Sequence, residues 1–334
     1  MKVNFISPVH PDKINESAGE AAMKNSNVLV TGGAGFIGSR LVGRLLGEEH
    51  EVTVLDNLFA GSTLNLEEHL NNTSLHVIKA DVRNLRVAKK AVNGAATVFH
   101  LAALVDVPMS VEDPVLTNDV NVRGTLSMLE ASLTGNVERF IYISSSAVYG
   151  EARYLPINEE HPTAPLSPYG VSKLAAENYC RNYNEIHGLK TCCLRFFNVY
   201  GPRQRANSYS GVISTFIRKM QSGESPAVYG DGKQTRDFIH VEDIIDACML
   251  AMKSHRVDGG TFNVGTGKPT TIKELADITA RLLGKTSLKL VYKKPRKGDV
   301  KNSYADIGKA RKSLNFKPKT ELKNGLKSLI KNER

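Results

Sequence analysis

The chain has 334 residues, of which 41% are hydrophobic and 23% are charged, as is ordinary for a globular protein. This length predicts one large domain with a second lobe, and no apolar run approaches the ~20 residues that a membrane span needs. The formal net charge is +10, and residues 285–334 alone hold 16 Lys or Arg against 4 Asp or Glu.

The basic end allows two interpretations, a solvated face or a contact with nucleic acid or a membrane surface. Aromatic residues do not interleave with the basic ones as a stacking platform for bases requires, so we expect no nucleic-acid partner and no membrane partner. The four cysteines and nine histidines show no metal-ligand spacing. This predicts no metal site and a reduced, cytoplasmic protein.

Residues 1–24 are polar and lack a positive segment followed by an apolar one, so they do not resemble a secretory signal. We expect them to be either a disordered extension or a stretch ahead of a physiological start at Met23. The apolar run at residues 27–31 follows closely and predicts a buried strand.

Three glycines follow that strand. Gly32, Gly35 and Gly38 are spaced as G-x-x-G-x-x-G, and a helix is predicted over residues 36–47. One glycine permits a tight turn, another lets a pyrophosphate approach the backbone, and the third permits close packing of helix on strand. The helix N-terminus then faces the phosphates of a dinucleotide. A glycine-rich turn without a ligand is the alternative.

Asp56 favours the dinucleotide. It ends a predicted strand over residues 51–56, 18 residues after Gly38, where a carboxylate can hold the adenosine ribose hydroxyls and repel a 2′-phosphate. We therefore expect NAD rather than NADP. Asp81, after the third strand, is either an adenine contact or a turn residue. Four neighbours are also expected to line the cofactor site: Phe36, Ile37, Asn57 and Val82.

Strands and helical patterns alternate over most of the chain. The further predicted strands are 75–79, 97–101, 139–143 and 190–195, and the long helices are 114–133 and 168–187. This alternation predicts an α/β fold, a Rossmann-type doubly wound parallel sheet. From about residue 197 loops rich in Gly, Pro and Arg predict a smaller C-terminal substrate-binding lobe. The predicted division is an extension at 1–24, an NAD-binding domain at 25–195 joined by 237–265, and a lobe at 196–236 and 266–334.

Tyr169 and Lys173 lie four residues apart in the second long helix and therefore share one of its faces. There a lysine ammonium can favour the phenolate and lower a tyrosine pKa that is ordinarily ~10. Serines at residues 144–146 end a predicted strand at the edge where a parallel sheet places its ligands. Together with the dinucleotide turn, these groups predict alcohol–ketone chemistry on a nicotinamide cofactor.

Ser145, Tyr169 and Lys173 resemble the Ser/Thr-Tyr-Lys set of the extended short-chain dehydrogenase/reductase family, and the resemblance covers about residues 27–330. It is strongest to the UDP-hexose 4-epimerases, particularly the branch that acts on N-acetylated sugars. It implies Tyr169 as the catalytic base, Lys173 as its partner and Ser145 as the catalytic serine, with Ser146 as the alternative. It also implies a homodimer in which helices 114–133 and 168–187 pack across the two-fold axis. Apolar faces that only covered the sheet would look similar.

The same resemblance implies further contacts. Three residues would pass under the cofactor: Leu101, Ala102 and Ala103. Asn121, in an N-x-x-G-T element, would be structural. The implied substrate-binding residues are Ser145, Ser146, Asn198, Val212, Arg236, Arg296, Asp299 and Ser303. Two guanidiniums suit a diphosphate because they make planar, charge-assisted contacts. Taken singly, Asn198 could instead cap a turn and Asp299 could be a surface acid.

Two positions separate the epimerases from their sister branches. The 4,6-dehydratases place an Asp-Glu pair after the catalytic threonine, and the glucuronate decarboxylases keep the Glu, whereas this chain has Ser146 and Ala147. Alanine cannot transfer protons. The resemblance therefore implies 4-epimerisation by oxidation at C4, rotation of the 4-keto sugar and re-reduction, with NAD held throughout.

Ser303 bears on which sugars the pocket admits. It lies four residues after Asp299, where a small residue resembles the enzymes that admit an N-acetyl group and a tyrosine resembles those limited to glucose and galactose. The expected substrates are therefore UDP-GlcNAc and UDP-GalNAc as well as UDP-Glc and UDP-Gal.

Two other functions stay open at this stage. Another NAD-dependent nucleotide-sugar enzyme, such as a decarboxylase, dehydratase or reductase, would use the same cofactor site with different acids. A non-catalytic Rossmann protein that senses a dinucleotide or binds RNA would have no need of Ser145, Tyr169 and Lys173.

Overall fold

The computed structural model describes residues 26–204, 211–295 and 300–332, so the predicted extension at 1–24 lies outside it. The strands are β1 (Asn27–Thr31), β2 (Glu51–Asp56), β3 (Leu75–Lys79), β4 (Thr97–His100), β5 (Arg139–Ser145), β6 (Lys190–Phe196), β7 (Asn198–Tyr200), β8 (Ala227–Tyr229), β9 (Thr235–Arg236), β10 (Phe238–His240), β11 (Thr261–Val264), β12 (Thr270–Thr271), β13 (Val291–Lys293) and β14 (Asn302–Ser303). The α-helices are α1 (Phe36–Gly47), α2 (Leu85–Ala91), α3 (Val107–Glu112), α4 (Pro114–Asn118), α5 (Gly124–Thr134), α6 (Pro168–His187), α7 (Val212–Gln221), α8 (Val241–Lys253), α9 (Ile272–Leu283), α10 (Gly308–Leu314) and α11 (Leu322–Asn332).

Seven strands form one parallel sheet in the order β11-β6-β5-β4-β1-β2-β3. The predicted Rossmann-type fold is therefore confirmed. The central strands are apolar runs, and β4 is buried at every residue because helices cover both faces of the sheet. The strand order reverses at β1, which lies between β2 and β4. The carboxyl ends of β1 and β4 consequently border the crevice in which sheets of this kind bind ligands.

The predicted helix over residues 114–133 is in fact interrupted. It consists of α4, a π-helical segment (Asp119–Arg123) and α5. A π-turn inserts one residue into the helical hydrogen-bond ladder, and such insertions are frequent at functional sites. Hydrophobic periodicity over a short window does not reveal a single inserted residue, which is why the sequence predicted one continuous helix.

Two apolar layers cover the sheet. One face packs on α1 and α8, through side chains such as Leu41, Leu45 and Ile244. The other face packs on α2, α5 and α6, with Leu129 and Ala176 at its centre. Among the described residues, no helix is long and apolar enough to span a membrane, and no group of three or more His, Cys, Asp or Glu could hold a metal ion. All four cysteines are buried and free.

A third apolar cluster joins α7, α9 and α11 beside the short strands of the C-terminal half. These strands include a three-stranded sheet in the order β12-β9-β14. The buried carboxylate of Asp237, directly after β9, holds this region together. It accepts hydrogen bonds from the backbone N–H groups of Thr266 (2.8 Å), Gly267 (2.9 Å) and Ala305 (3.1 Å). The domain bounds given above stay a prediction.

A buried ion pair links α6 to β6. Arg195 binds Glu177 with two parallel bonds, from Nε at 2.9 Å and from Nη2 at 2.7 Å. Both side chains are less than 10% exposed. A third bond runs from Arg195 Nη1 to the hydroxyl of Tyr149 (2.9 Å), which in turn donates to Asn263 Oδ1 (2.6 Å). The guanidinium is thus fully engaged, as a buried charge must be.

We expect Glu177→Gln to lower the free energy of unfolding by about 3 kcal/mol, because it leaves the Arg195 charge buried without its counter-charge. The control is Glu321→Gln. It breaks the ion pair between Lys268 and Glu321, which has a similar N–O distance of 2.7 Å but is 70% and 65% exposed. The control should cost less than about 1 kcal/mol. Urea denaturation measures both, and equal losses would contradict the assignment.

Candidate active site

The turn between β1 and α1 accepts only glycine at two positions. Gly32 has a φ of 70°, and a Cβ on it would lie 2.8 Å from the backbone nitrogen of Ala102. A Cβ on Gly38 would overlap the carbonyl oxygen of Gly32, so α1 packs directly on the turn. Gly35 is the N-cap of α1 and has no side chain to compete for the helix N–H groups. This bare backbone cradle fits the pyrophosphate of a dinucleotide.

The floor of the turn is the segment that follows β4. The backbone nitrogen of Leu101 donates to the carbonyl oxygen of Thr31 (3.2 Å), and that of Ala102 donates to Thr31 Oγ1 (3.2 Å). The structure therefore brings together two parts of the predicted cofactor site that are distant in the sequence. Five predicted cofactor residues belong to this floor or to the start of α1: Phe36, Ile37, Leu101, Ala102 and Ala103.

Asp56 lies at the end of β2, beside the same turn. Its carboxylate accepts hydrogen bonds from the backbone nitrogens of Ala34 (3.0 Å, to Oδ2) and Leu58 (2.8 Å, to Oδ1). A carboxylate has about four lone-pair positions, so each oxygen keeps one for a further donor. Asp56 is thus held rigidly by the loop while retaining acceptor capacity that suits ribose hydroxyls.

Asp81 is already engaged in an ion pair. Arg83 donates to both of its oxygens, from Nε at 2.9 Å and from Nη2 at 2.8 Å, and lowers the pKa of Asp81 to about 2. Asn57 Nδ2 also donates to Asp81 (3.2 Å), while Val82 is buried. These contacts hold the Asp81 side chain in place. Its contact with adenine stays a prediction, as do those of Asn57 and Val82.

Tyr169 and Lys173 lie one turn apart in α6, and both side chains are buried. The helix begins here because Ser167 caps it by accepting from Gly170 N (3.1 Å) and Pro168 occupies its first turn. Ser145, the last residue of β5, lies close enough to the Tyr169 side chain to lower the pKa of its phenol. The structure therefore assembles the predicted Ser-Tyr-Lys set at the carboxyl edge of the sheet.

The Ser145 hydroxyl oxygen has one backbone donor. Its oxygen accepts a hydrogen bond from Ala147 N (3.1 Å), so its own hydrogen can point toward the Tyr169 phenol. The next two residues, Ser146 and Ala147, lie in a short 3₁₀ turn (Ser146–Val148). Of the two candidate serines, Ser145 is the one that lowers the pKa of Tyr169.

The pKa of Tyr169 departs from the expectation that Lys173 lowers it. Burial raises the pKa of Tyr169, and the nearby Ser145 hydroxyl opposes the increase. The Lys173 ammonium donates instead to the carbonyl oxygen of Ile143 (2.8 Å). Burial lowers the pKa of Lys173 to about 8, against the nearby negative charge of Glu177. Desolvation of the phenol, which the sequence does not show, therefore acts against the expected lowering of its pKa.

Asn121 lies in the π-helical segment and connects two parts of the site. Its Oδ1 accepts from Leu104 N (2.7 Å), and its Nδ2 donates to Leu104 O (2.9 Å) and to Ser172 Oγ (2.9 Å). It therefore fixes the segment after the cofactor floor against the helix that carries Tyr169. These contacts fit the structural role expected for it.

The predicted substrate residues belong to the C-terminal half. Ser303 pairs with Arg236 in the parallel register of β14 and β9, and both are buried. Asn198 begins β7 with its side chain exposed, and Val212 begins α7 half-buried. Arg236 Nη1 donates to the carbonyl oxygen of Thr235 (2.8 Å). The structure thus places Arg236, which was predicted to bind phosphate, beside Ser303, which was predicted to line the sugar pocket. Two further predicted residues, Arg296 and Asp299, lie outside the described residues.

Residues 28–265 match the NAD dependent epimerase/dehydratase family. The chain belongs to this family. It is 40% identical to the UDP-N-acetylglucosamine 4-epimerase of Methanobrevibacter ruminantium M1, solved in complex with UDP-N-acetylmuramic acid. The match has a TM-score of 0.88 and covers 92% of this chain and 98% of that one.

Two other family members show the range of activities among its relatives. The UDP-glucose 4-epimerase of Thermotoga maritima, solved with UDP-glucose, is 37% identical with a TM-score of 0.87, over 92% of this chain and 98% of that one. The UDP-N-acetyl-alpha-D-glucosaminuronate decarboxylase of Bacillus cytotoxicus is 34% identical over 314 residues, 90% of this chain and 96% of that protein. The predicted resemblance to the epimerases is confirmed. The family member described here is an isomerase with NAD as its cofactor.

One polar residue of the site, His100, was not predicted from the sequence. It ends β4 next to the end of β1, and its two ring nitrogens bond to Thr31 Oγ1 (2.7 Å) and Thr125 Oγ1 (3.0 Å). The sequence signal was a histidine closing an otherwise apolar strand of a parallel sheet. A single histidine in such a position is also common in protein cores, so the signal was weak.

Gly38→Ala should strongly reduce the NAD content of the purified protein, because the added Cβ would overlap Gly32 O and force α1 away from the turn. Gly47→Ala, at the other end of the same helix, is the control. No atom lies within 4 Å of its added Cβ, and it should leave NAD content unchanged. NAD released by acid and measured per mole of protein gives the readout. Equal NAD content in the two variants would contradict the packing argument.

Proposed function

We propose that this family member is an NAD-dependent 4-epimerase of UDP-hexoses that accepts N-acetylated as well as plain sugars. The similarity of the chain to two UDP-sugar 4-epimerases supports this reaction. The observation that carries the reaction is the placement of Ser145, at the end of β5, beside buried Tyr169, one helical turn from Lys173, where Ser145 lowers the pKa of the phenol.

When bound, NAD supplies the acceptor, and later the donor, of a hydride at C4 of the sugar. Gly32, Gly35, Gly38 and Asp56 would hold it. Tyr169 takes the proton of the C4 hydroxyl as the C4–H bond breaks, and it returns that proton to the 4-keto oxygen when the C–H bond forms again. The 4-keto sugar rotates about its diphosphate link between the two steps, so its other face is reduced.

Ser145 and Lys173 serve this proton transfer in different ways. The Ser145 hydroxyl stabilises the phenolate directly, as its lowering effect on the Tyr169 pKa indicates. Lys173, with a pKa near 8, carries its positive charge at neutral pH and holds it one turn away. Of the groups in this chain, Ser145 is the one that opposes the raised pKa of the phenol, and the positive charge of a bound oxidised nicotinamide would act in the same direction.

The anchor for the sugar nucleotide is proposed in the C-terminal half. Arg236 and Arg296 would bind the diphosphate, with Asn198, Val212 and Asp299 around the nucleotide. Ser146 and Ser303 would face the sugar. The pairing of β9 with β14 supports this assignment, because it places the small Ser303 side chain next to Arg236. A small residue beside the anchor leaves room for an N-acetyl group and for rotation.

The similarity to a decarboxylase keeps one alternative open. In this chain the turn after Ser145 contains Ala147, which cannot act as an acid or base. Incubation with UDP-Glc, UDP-GlcNAc or UDP-GlcA without added NAD separates the candidates. Epimers of the first two sugars support the proposal, release of CO2 from the third identifies a decarboxylase, and loss of water identifies a dehydratase.

A homodimer and a cytoplasmic location stay predictions. Exposed apolar side chains on the outer faces of α3, α4 and α6 support a second copy as the partner. The most exposed are Val111 (63%), Val115 (77%), Val171 (52%) and Ile186 (66%). Apolar surface of this kind on consecutive helices is typical of an interface.

Tyr169→Phe should lower kcat by at least about 100-fold, since the proton of the C4 hydroxyl loses its acceptor. Tyr179→Phe is the control, because Tyr179 lies in the same helix but is 39% exposed. It should retain full activity. Product formation followed by NMR measures both. Unchanged turnover in Tyr169→Phe would favour a non-catalytic function.

Ser303→Tyr should abolish turnover of UDP-GlcNAc and spare that of UDP-Glc, because the larger ring fills the space beside Arg236. Ser303→Ala should keep both activities. The measurement is kcat/KM for each substrate. Loss of both activities in the tyrosine variant, or of neither, would count against the proposed role of Ser303.

A further inference from the structure

His100 closes a chain of hydrogen bonds whose direction can be worked out. Thr125 Oγ1 donates its single hydrogen to the carbonyl oxygen of Asn121 (2.6 Å). Toward His100 it can therefore only accept, so the hydrogen between them lies on the Nε2 atom of His100 (3.0 Å). The imidazole is thus an Nε2–H group on this side.

The other ring nitrogen completes the assignment. Burial lowers the pKa of His100 to about 3, and the charge of Lys173 acts in the same direction, so the ring is neutral. A neutral Nε2–H imidazole has a bare Nδ1, which accepts from Thr31 Oγ1 (2.7 Å). Thr31 Oγ1 in turn accepts from the backbone nitrogen of Ala102 (3.2 Å). Every hydrogen in the chain is accounted for.

This series of hydrogen bonds continues to α6, the helix that carries Tyr169. Asn121 donates through Nδ2 to Ser172 Oγ (2.9 Å), and the Ser172 hydroxyl donates to the backbone carbonyl oxygen of Tyr169 (2.8 Å). One end of the series is therefore the floor of the dinucleotide turn, and the other end is the backbone of the proposed base. His100 is the member that crosses from the sheet to the helices.

We propose that His100, as its Nε2–H tautomer, is a positioning residue that couples the cofactor turn to the helix carrying Tyr169. The part of this proposal that concerns Tyr169 rests on the proposed function, whereas the coupling of His100 to the NAD site does not. The imidazole suits the position because it offers one donor and one acceptor on opposite sides of a rigid ring. The Phe140 and Tyr142 rings, at centroid distances of 5.7 Å and 6.0 Å, flank it in the core.

The first test is spectroscopic and needs no sugar substrate. Histidine labelled with ¹⁵N in the NAD-loaded protein reports the protonation of each ring nitrogen through its chemical shift. We expect His100 to show a protonated Nε2 and a bare Nδ1 between pH 6 and pH 8. His100→Asn identifies its signals. A protonated Nδ1, or a charged imidazolium, would overturn the proposal.

The second test interrupts the series at Thr125. Thr125→Val removes both the acceptor for His100 Nε2–H and the donor to Asn121, whereas Thr125→Ser keeps both. Ser132→Ala is the matched control, because Ser132 is an equally buried hydroxyl in the same helix that donates to the carbonyl four residues earlier (2.7 Å, Met128 O) and bonds to no residue of this chain of contacts.

We expect Thr125→Val to lower NAD retention on gel filtration about tenfold and kcat by a similar factor, with KM for the UDP-sugar unchanged. Thr125→Ser should restore both quantities, and Ser132→Ala should change neither. Equal behaviour of Thr125→Val and Ser132→Ala would overturn the proposal. If Thr125→Val does not fold, the ¹⁵N measurement on the unaltered protein decides. NAD retention and tautomer are independent of epimerase activity, so a failure of the proposed function would be recognised separately.

Discussion

The burial of the Lys173 ammonium constrains much of the structure around it. A cation removed from water costs several kcal/mol unless nearby groups compensate for its lost hydration. Here the compensation comes from the carbonyl oxygen of Ile143, from the face of the Tyr142 ring 5.0 Å away, and from the negative charge of Glu177. The first two belong to β5 and the third to α6, so the helix has to pack on this strand in one register. Glu177 in turn is held by Arg195 on β6. One charge thereby sets the mutual placement of three elements.

The parts of the site that depend on local chain geometry were accessible from the sequence. The spacing of Gly32, Gly35 and Gly38 predicted a turn that no Cβ could enter, and the structure shows the backbone contacts that exclude it. The four-residue spacing of Tyr169 and Lys173 likewise placed both on one face of a helix. The strands ended within two residues of their predicted bounds, because buried parallel strands are nearly continuous apolar runs.

Other features depend on contacts between distant segments, and no local pattern reports them. The pairing of Ser303 with Arg236 arises only when β14 joins β9. The role of His100 requires Thr31 and Thr125 to meet it from two different elements. The pKa of Tyr169 was misjudged for a related reason. The sequence shows which charge is near, but it does not show how thoroughly the fold removes the phenol from water.

The carboxylate of Asp237 has a consequence for the order in which the molecule can be completed. It accepts hydrogen bonds from the N–H groups of residues 266 and 267 and from that of residue 305, which is 68 residues further along the chain than Asp237. Burial raises its pKa, and without these donors the buried carboxylate would destabilise the fold. During synthesis six strands of the main sheet emerge before Asp237 does, and the seventh, β11, follows it. The region around Arg236, by contrast, needs the segment at Ala305 before the carboxylate of Asp237 has all three of these backbone donors. The half that would choose the sugar therefore depends on a later segment of the chain than any strand of the main sheet does.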